Sequence, residues 1–213
     1  MSDTNQPLIV PIAHYVGEMH IPGKESVTHK LRGGWGIVEL TDSEMTLWLL
    51  AHSTSEAREA GKPWTRKAVL EAVPPEVTDA DRIIDDLLSK DVLAEVTPGT
   101  EQAVEFASKY RLVPLMWGLG NTHETPWEYR IGILGHPLLA VNSTVYDTWE
   151  WSHLYRSLWA SCQSLAKLRE THDERPAEER DPRGILNQVV LSLHALLGFQ
   201  CAYLDVPFEW GKP

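Results

Sequence analysis

The sequence predicts an α+β protein, in which a winged-helix-like N-terminal module of three strands and three helices precedes short strands and a C-terminal helical hairpin. Two observations support this prediction. Short apolar runs separated by glycine and proline fill residues 8–40, as is typical of strands. Apolar residues at helical spacing dominate 41–90 and 145–197. Because 213 residues suffice for two small domains, we expect one over residues 1–97 and another over 98–213.

Three strands are predicted first, in an antiparallel meander. They cover residues 8–15, 27–31 and 35–40, where branched and aromatic residues are frequent. The dipeptides Pro22-Gly23 and Gly33-Gly34 mark the turns between them.

Three helices are predicted next. Thr41 and Glu44 have the spacing of a capping box, which marks the start of the first helix. The polar segment Ser53–Gly61 is expected to lead out of it. The second helix starts at residues 63–65 and stops at Pro74-Pro75, because proline cannot continue a helix.

The third helix is expected to begin at Thr78 or Asp79. Its apolar residues fall on one helical stripe, which comprises Ile83, Ile84, Leu87 and Leu88. A short strand over Val92 to Val96 is expected to follow it.

The second half is predicted to start with a connecting helix over 101–110. Three strands should follow, over residues 111–119, 127–134 and 138–141. The glycine-rich run Gly118–Asn121 is predicted to be a turn, because it lacks the third glycine and the following helix of a phosphate-binding loop.

Two long helices are predicted to close the chain. The first covers about 145–169, and the charged segment 170–180 is expected to connect it to the second. Asp181 and Pro182 are a typical N-cap and first-turn proline, and the last helix should end before Pro207. A short connector between long helices suggests an antiparallel hairpin. The pattern shows no internal repeat.

The composition argues against several functional classes. Asp and Glu number 30 against 19 Lys and Arg, which gives a net charge of −11. Since nucleic-acid binding depends on neutralising phosphates, we expect no nucleic-acid partner. No apolar run reaches the roughly 18 residues of a membrane span, so we expect no membrane association. Met1–Asn5 lack the basic start of a secretory signal and the two cysteines form no disulfide framework, which predicts a cytoplasmic location.

No motif for metal binding or catalysis stands out, so we predict no metal, no cofactor and no catalytic residue. The nine histidines include no i, i+4 pair, and there is no Cys-x-x-Cys. The carboxylates Glu128, Asp147 and Glu150 have no evident partner for acid–base chemistry. Cys162 and Cys201 are expected on the two facing helices as buried small hydrophobes, with a redox pair as the alternative.

Two stretches of the first half resemble the PqqD-like fold, a small winged-helix relative that recognises peptides in ribosomal peptide modification. Trp35–Thr41, with the sequence WGIVELT, resembles the third strand of that fold running into its first helix. Leu87–Leu93, with the sequence LLSKDVL, resembles the end of the third helix. The resemblance covers about residues 8–96. The insertion Ser53–Lys62 and everything after residue 100 depart from it.

The resemblance implies a non-catalytic function, in which a precursor peptide adds as an extra strand beside the third strand and the third helix closes the groove. The peptide-binding residues that it implies are Trp35, Gly36, Ile37, Val38, Glu39, Arg82, Ile83 and Asp86. The implied partners are a precursor peptide and a modifying enzyme, to which the peptide is presented. Acidic residues at 81, 85 and 86 would favour a basic or neutral peptide segment.

Two other functions stay open. A winged-helix transcriptional regulator would use the third helix for recognition, where carboxylates would repel DNA phosphates. Acidic residues on and beside this helix outnumber basic ones, being Asp79, Asp81, Asp85, Asp86 and Asp91 against Arg82 and Lys90. An enzyme without a recognisable site is the other alternative.

Nine tryptophans are several times the usual number, and they suit either a core of large aromatics or an interface. Several aromatic residues cluster in the first long helix, where they cannot all face the same way. We therefore predict an outward aromatic patch that docks the partner enzyme. Its residues are Trp149, Trp151, Tyr155 and Trp159.

Overall fold

The structure is a computed structural model that describes residues 6–20, 27–170 and 176–207, and it confirms the α+β class. The described strands are β1 Leu8–Pro11, β2 His14–His20, β3 Val27–Gly33, β4 Gly36–Leu40, β5 Leu93–Val96, β6 Arg111–Pro114, β7 Trp117–Gly120, β8 Tyr129–Ile133, β9 His136–Val141 and β10 Ala202–Asp205. The described helices are α1 Asp42–Leu50, α2 Ser55–Glu59, α3 Arg66–Ala72, α4 Ala80–Ser89, α5 Glu101–Lys109, α6 Ser143–Trp151, α7 Leu158–Glu170, α8 Ala177–Arg180 and α9 Pro182–Gly198.

The predicted N-terminal meander is present as the sheet β2-β3-β4. The segment 8–15, predicted as one strand, is two strands, because Ala13 has a φ of 78° and breaks the extended backbone. Strand β1 is not part of the meander. It pairs antiparallel with β5, with Pro11 opposite Leu93. The predicted turn Pro22-Gly23 lies outside the described residues.

The described part of the first half, residues 6–20 and 27–97, contains four helices, one more than predicted. The capping box is confirmed, since the Thr41 side chain accepts from the Glu44 amide and the Glu44 side chain accepts from the Thr41 amide. The extra helix is α2, inside the segment expected to lead out of α1. Its N-cap is Thr54, whose hydroxyl accepts a hydrogen bond from the Ala57 amide.

The second half also differs from its prediction in several elements. The segment 111–119, predicted as one strand, is divided between β6 and β7. The predicted turn Gly118–Asn121 was wrong, since three of its four residues lie in β7. The last helix ends at Gly198 and is followed by β10, which pairs antiparallel with β6 and which the sequence did not predict.

The C-terminal helical pair is present, but its first member is shorter than predicted. The segment 145–169 is broken into α6 and α7, with the 3-10 turn Ser152–Leu154 between them. Helix α7 packs against α9. The Asp181 carboxylate caps α9 by accepting from the Gly184 amide at 3.0 Å. The short helix α8 lies in the predicted connector.

The two halves repeat one architecture, contrary to the expectation from sequence. Each consists of a strand, a three-stranded antiparallel meander, a set of helices and a final strand that pairs with the first. In chain order these are β1 to β5 in residues 8–96, here called the first module, and β6 to β10 in residues 111–205, the second module. Helix α5 connects them. Pro11 lies opposite Leu93 and Pro114 lies opposite Ala202, so even the register agrees.

The modules have separate hydrophobic cores that meet at β1. The first cluster of buried residues belongs to the first module. The second cluster is built on α6, α7 and α9 of the second module. Strand β1 serves both, because alternate side chains point to opposite faces. Ile9 packs in the first cluster, whereas Leu8 and Val10 pack in the second. The domain boundary at residue 97 stays a prediction.

Candidate functional site

The candidate site is the outer edge of β4. Among the described strands, β4 pairs only with β3, so it ends the first meander. Gly34 and Trp35 join the two strands in a two-residue turn, and Gly34 has a φ of 55° there. A positive φ at this position is the backbone that such hairpin turns require and that glycine adopts without strain.

The turn determines which backbone groups of β4 are available. The pair of residues beside a two-residue turn exchanges hydrogen bonds, the next pair does not, and the alternation continues along the strand. Ile37 and Glu39 are the second and fourth residues of β4. Their N–H and C=O groups therefore point away from β3, along the open edge. These are the groups that an added strand would bond.

The side chains on this edge are exposed where the prediction needs them to be. Trp35 is 69% exposed and Ile37 is 52% exposed, and Gly36 and Glu39 are exposed as well. Val38 points inward, half-buried against the first cluster. The Glu39 carboxylate pairs with Lys30 of β3 at 2.9 Å. The five strand residues thus lie together on one edge, with exposed apolar surface at its turn end.

The predicted helix residues lie on α4. Arg82 and Asp86 are exposed, whereas Ile83 is half-buried and packs against the first cluster. Helix α1 packs against both α4 and β4 and so fixes one relative to the other. Lys90 at the end of α4 forms an ion pair with Glu44 of α1, a residue of the capping box.

Two of the three acidic residues predicted to influence the peptide, at 81, 85 and 86, share one arginine partner. Arg66 of α3 donates from Nε to Asp81 at 2.8 Å and from Nη1 to Asp85 at 2.7 Å. The hydrogen bond from Arg66 holds the pKa of Asp85 below its usual value. Asp86 lies outside this arrangement, and the predicted preference for a basic or neutral peptide segment stays a prediction.

The predicted docking patch loses its first member. Trp149 is only 1% exposed, and its indole Nε1 donates to the Cys201 carbonyl at 2.9 Å, so it belongs to the core. Trp159 is half-buried against the second cluster. Tyr155 is half-buried, and its hydroxyl bonds the Ser164 hydroxyl at 2.7 Å. Trp151 is 53% exposed and carries what remains of the patch.

Sequence reasoning missed the most deeply buried carboxylate, Asp205 on β10. It accepts from the Gly34 amide at 2.7 Å and pairs with Arg32 at 3.5 Å and Arg111 at 3.2 Å. Asp205 therefore ties the end of the second module to the turn that begins β4. A charge inside the apolar run Tyr203–Val206 was the available signal, but no spacing rule links it to distant arginines.

Burial disfavours the charged forms of His194 and of both cysteines. His194 on α9 bonds the Ile9 carbonyl through Nε2 at 2.8 Å, and burial lowers its pKa to about 4. Burial raises the pKa of Cys162 to about 12 and that of Cys201 to about 11, which disfavours the thiolates. Cys201 follows α9 rather than lying on it, so the predicted placement on two facing helices was wrong for this residue.

Comparison with known proteins found no match: no family model, no curated protein and no solved structure is similar to this chain. The PqqD-like resemblance thus stays a prediction. Within the described residues, no group of three or more His, Cys, Asp or Glu side chains is placed to hold a metal ion. None of the helices described is long and apolar enough to cross a membrane.

Proposed function

We propose that the chain captures a ribosomally made precursor peptide as an additional strand on β4 and presents it to a modifying enzyme. The observation that carries the proposal is the β4 edge, where the backbone groups of Ile37 and Glu39 point outward beside exposed apolar side chains. Main-chain hydrogen bonds would supply affinity, and pockets for alternate side chains would supply selectivity. The role is one of binding and involves no chemistry at the site.

The surroundings of the edge indicate what the peptide should contain. An added strand would place alternate side chains on the two faces of the sheet. On the outer face they would meet the exposed side chains of Ile37 and Trp35. We therefore expect apolar residues at every second position. The attraction for a basic or neutral segment should be weaker than three free carboxylates would give, because the single charge of Arg66 offsets one of them.

The experiment compares two substitutions at one edge residue. Peptides of 12 residues are first selected from a display library on the full chain, and their affinities are measured by fluorescence anisotropy. Ile37→Pro removes the outward N–H without touching the ladder to β3, and should weaken binding at least about tenfold. Ile37→Ala keeps the N–H and should weaken binding by no more than about threefold. Circular dichroism confirms that both variants fold.

Two results would count against the proposal. Unchanged affinity in a folded Ile37→Pro variant would show that the peptide does not use this edge. Equal losses in both variants would show that the Ile37 side chain, and not its amide, makes the contact.

The enzyme-docking part of the proposal narrows to one surface. Trp151 and Leu168, on α6 and α7, are both exposed and line a cavity of about 150 Å³ between these helices. Leu154, three residues after Trp151, is exposed as well. Exposed apolar clusters of this kind mark interaction sites. A Trp151→Ala variant should lose association with the modifying enzyme while peptide affinity stays within about twofold, and retained association would remove the patch from the proposal.

A further inference from the structure

The repeat between the modules extends from element order to single residues. Trp48 in α1 is buried and donates from Nε1 to the Ile12 carbonyl at 3.0 Å. Trp149 in α6 lies at the corresponding place, seven residues after the N-cap, and donates from Nε1 to the Cys201 carbonyl. The two acceptors lie on opposite sides of one equivalent contact, because Ile12 follows the first strand of its module and Cys201 precedes the last strand of its own.

The strand that closes each module is held in the same way. The Ile12 amide donates to the Val92 carbonyl at 2.9 Å, and the Leu115 amide donates to the Cys201 carbonyl at 2.9 Å. Both accepting residues follow a residue that is not glycine but has a positive φ, Asp91 at 58° and Gln200 at 53°. Such residues are uncommon, so a matched pair at equivalent helix ends indicates one structural design used twice.

The meanders share a further irregularity. A bulge interrupts the pairing of β2 with β3 beside Gly17, and another interrupts β7 with β8 beside Gly120. Both glycines have positive φ values, 114° and 66°. Paired residues in the two meanders can therefore be matched from the turn that precedes each last strand up to the register shift that β9 has and β4 lacks.

The match places a proline at the critical edge position of the second module. Leu134 and Gly135 form the two-residue turn before β9, as Gly34 and Trp35 do before β4. The second residue of β4 is Ile37, whose N–H faces the open edge, and the second residue of β9 is Pro137, which has no N–H. Proline at an outward-facing edge position is a common way to block strand addition.

We infer that the second module is a closed copy of the peptide-binding module, in which Pro137 removes the edge amide that Ile37 supplies in the first. This inference rests on the proposed function, and it adds that the chain takes one peptide strand, on β4 alone. It also assigns Pro137 as the residue that decides which of two equivalent edges is used. A register irregularity in β9 just after Pro137 distorts the second edge further.

The test uses peptide selection on full-length variants. Wild type should bind a selected 12-residue peptide at 1:1 stoichiometry by native mass spectrometry. Ile37→Pro has proline at both edges and should enrich no peptides from the display library. The double variant Ile37→Pro, Pro137→Ala has only the second edge open, and it should again enrich peptides and bind them at 1:1. Binding of two peptides by wild type, or no enrichment on a folded double variant when wild type enriches peptides, would overturn the inference.

A measurement without peptide separates failure of this inference from failure of the proposed function. In Pro137→Ala, the new backbone amide at position 137 should face solvent and exchange its hydrogen at least about 100-fold faster than the Leu139 amide, which we place in the ladder to β8. If the new amide is instead as protected as that of Leu139, it faces β8 and the inference is wrong. If the new amide exchanges fast but wild type enriches no peptide, the proposed function fails while the equivalence of the two edges stands.

Discussion

The outer faces of the two meanders differ in what covers them. In the first module, residues of β10 cover part of this face: the ring of Tyr203 lies 4.7 Å from that of His14, and Arg32 donates to the Tyr203 hydroxyl at 2.7 Å. The residue of the second module that corresponds to His14 is Trp117, because each is the first residue of its strand. Trp117 is 62% exposed. The second module therefore supports the first with its terminal strand, while its own sheet stays exposed.

The proposed function would divide affinity and stability between the modules. The second module holds the turn before β4, because Asp205 accepts a hydrogen bond from the Gly34 amide. The second residue of β9 is Pro137, which has no N–H. A binding surface on one copy and a supporting strand on the other would let the same helical core serve both.

The largest expected effect is at the two equivalent tryptophans. Trp48→Ala and Trp149→Ala should each lower the free energy of unfolding by about 3–5 kcal/mol, because each removes a large buried side chain. Trp→Phe at either position fills most of the cavity and removes only the indole hydrogen bond, so it should cost less. Urea denaturation measures both pairs. A Trp149→Ala variant as stable as wild type would contradict the buried position of Trp149 that matches Trp48, and it would return Trp149 to the predicted docking patch.

Loss of the Asp205 carboxylate, which joins the modules, should lower the free energy of unfolding nearly as much. Asp205→Ala leaves Arg32 and Arg111 without their shared carboxylate and should lower the free energy of unfolding by about 3 kcal/mol. Asp205→Asn is the matched control, since its side-chain oxygen can still accept from the Gly34 amide, and it should cost less. If Asp205→Ala unfolds with an unchanged midpoint, Asp205 does not hold the modules together.

The pH dependence of stability should report on another contact between the modules, that of His194 with Ile9. Burial lowers the pKa of His194 to about 4 in the folded chain, against about 6.5 when unfolded. The unfolded state therefore binds the proton more tightly, and stability falls as the pH drops below 6.5. Between pH 7.5 and 5.0 this residue should account for a loss of about 2 kcal/mol.

His194→Gln provides the control for that prediction, because it keeps a donor for the Ile9 carbonyl without a titrating ring. Part of the pH dependence should remain in this variant, since burial also lowers the pKa of His52 to about 4. An identical pH profile in wild type and His194→Gln, followed by urea denaturation, would show that His194 is accessible in the folded state.

The smallest effect is expected at Trp151. Its side chain is half exposed, so Trp151→Ala should change the free energy of unfolding by less than about 0.5 kcal/mol. Set beside Trp149→Ala, two residues earlier, it gives a contrast of several kcal/mol within one helix. A loss above about 2 kcal/mol would mean that Trp151 packs more tightly than the structure shows and is unavailable to a partner.

Local signals in the sequence predicted the elements whose cause is local. The capping box at Thr41 and Glu44 and the N-cap at Asp181 were confirmed, because each acts within four residues. The sequence did not predict β10, since four residues after a helix gain strand character only by pairing with distant β6. The repeat was missed for a similar reason. The two modules share strand register, bulges and helix ends, and these are backbone features that different side chains can form. The indoles of Trp48 and Trp149 likewise donate to backbone carbonyls, which every residue has.

For the candidate site too, the sequence predicted the features with a local cause and missed those with a distant one. The strand residues from Trp35 to Glu39 could be assigned to one element because turn and strand signals are local. The contacts of the site with distant parts of the chain were not predicted. Arg66 pairs with Asp81, and Asp205 accepts a hydrogen bond from the Gly34 amide. Trp149 was misassigned because helical periodicity was applied across a break at Ser152–Leu154, which shifts the faces of the two helices.

Amide hydrogen exchange with and without a bound 12-residue peptide tests the central claim most directly. The amides of Ile37 and Glu39 should exchange fast in the free chain and become protected at least about tenfold in the complex. The Ala140 amide, the counterpart of Glu39 on β9, should not change. Protection at Ala140, or none at Ile37 and Glu39 under saturating peptide, would contradict the account that β4 is the edge that receives the strand.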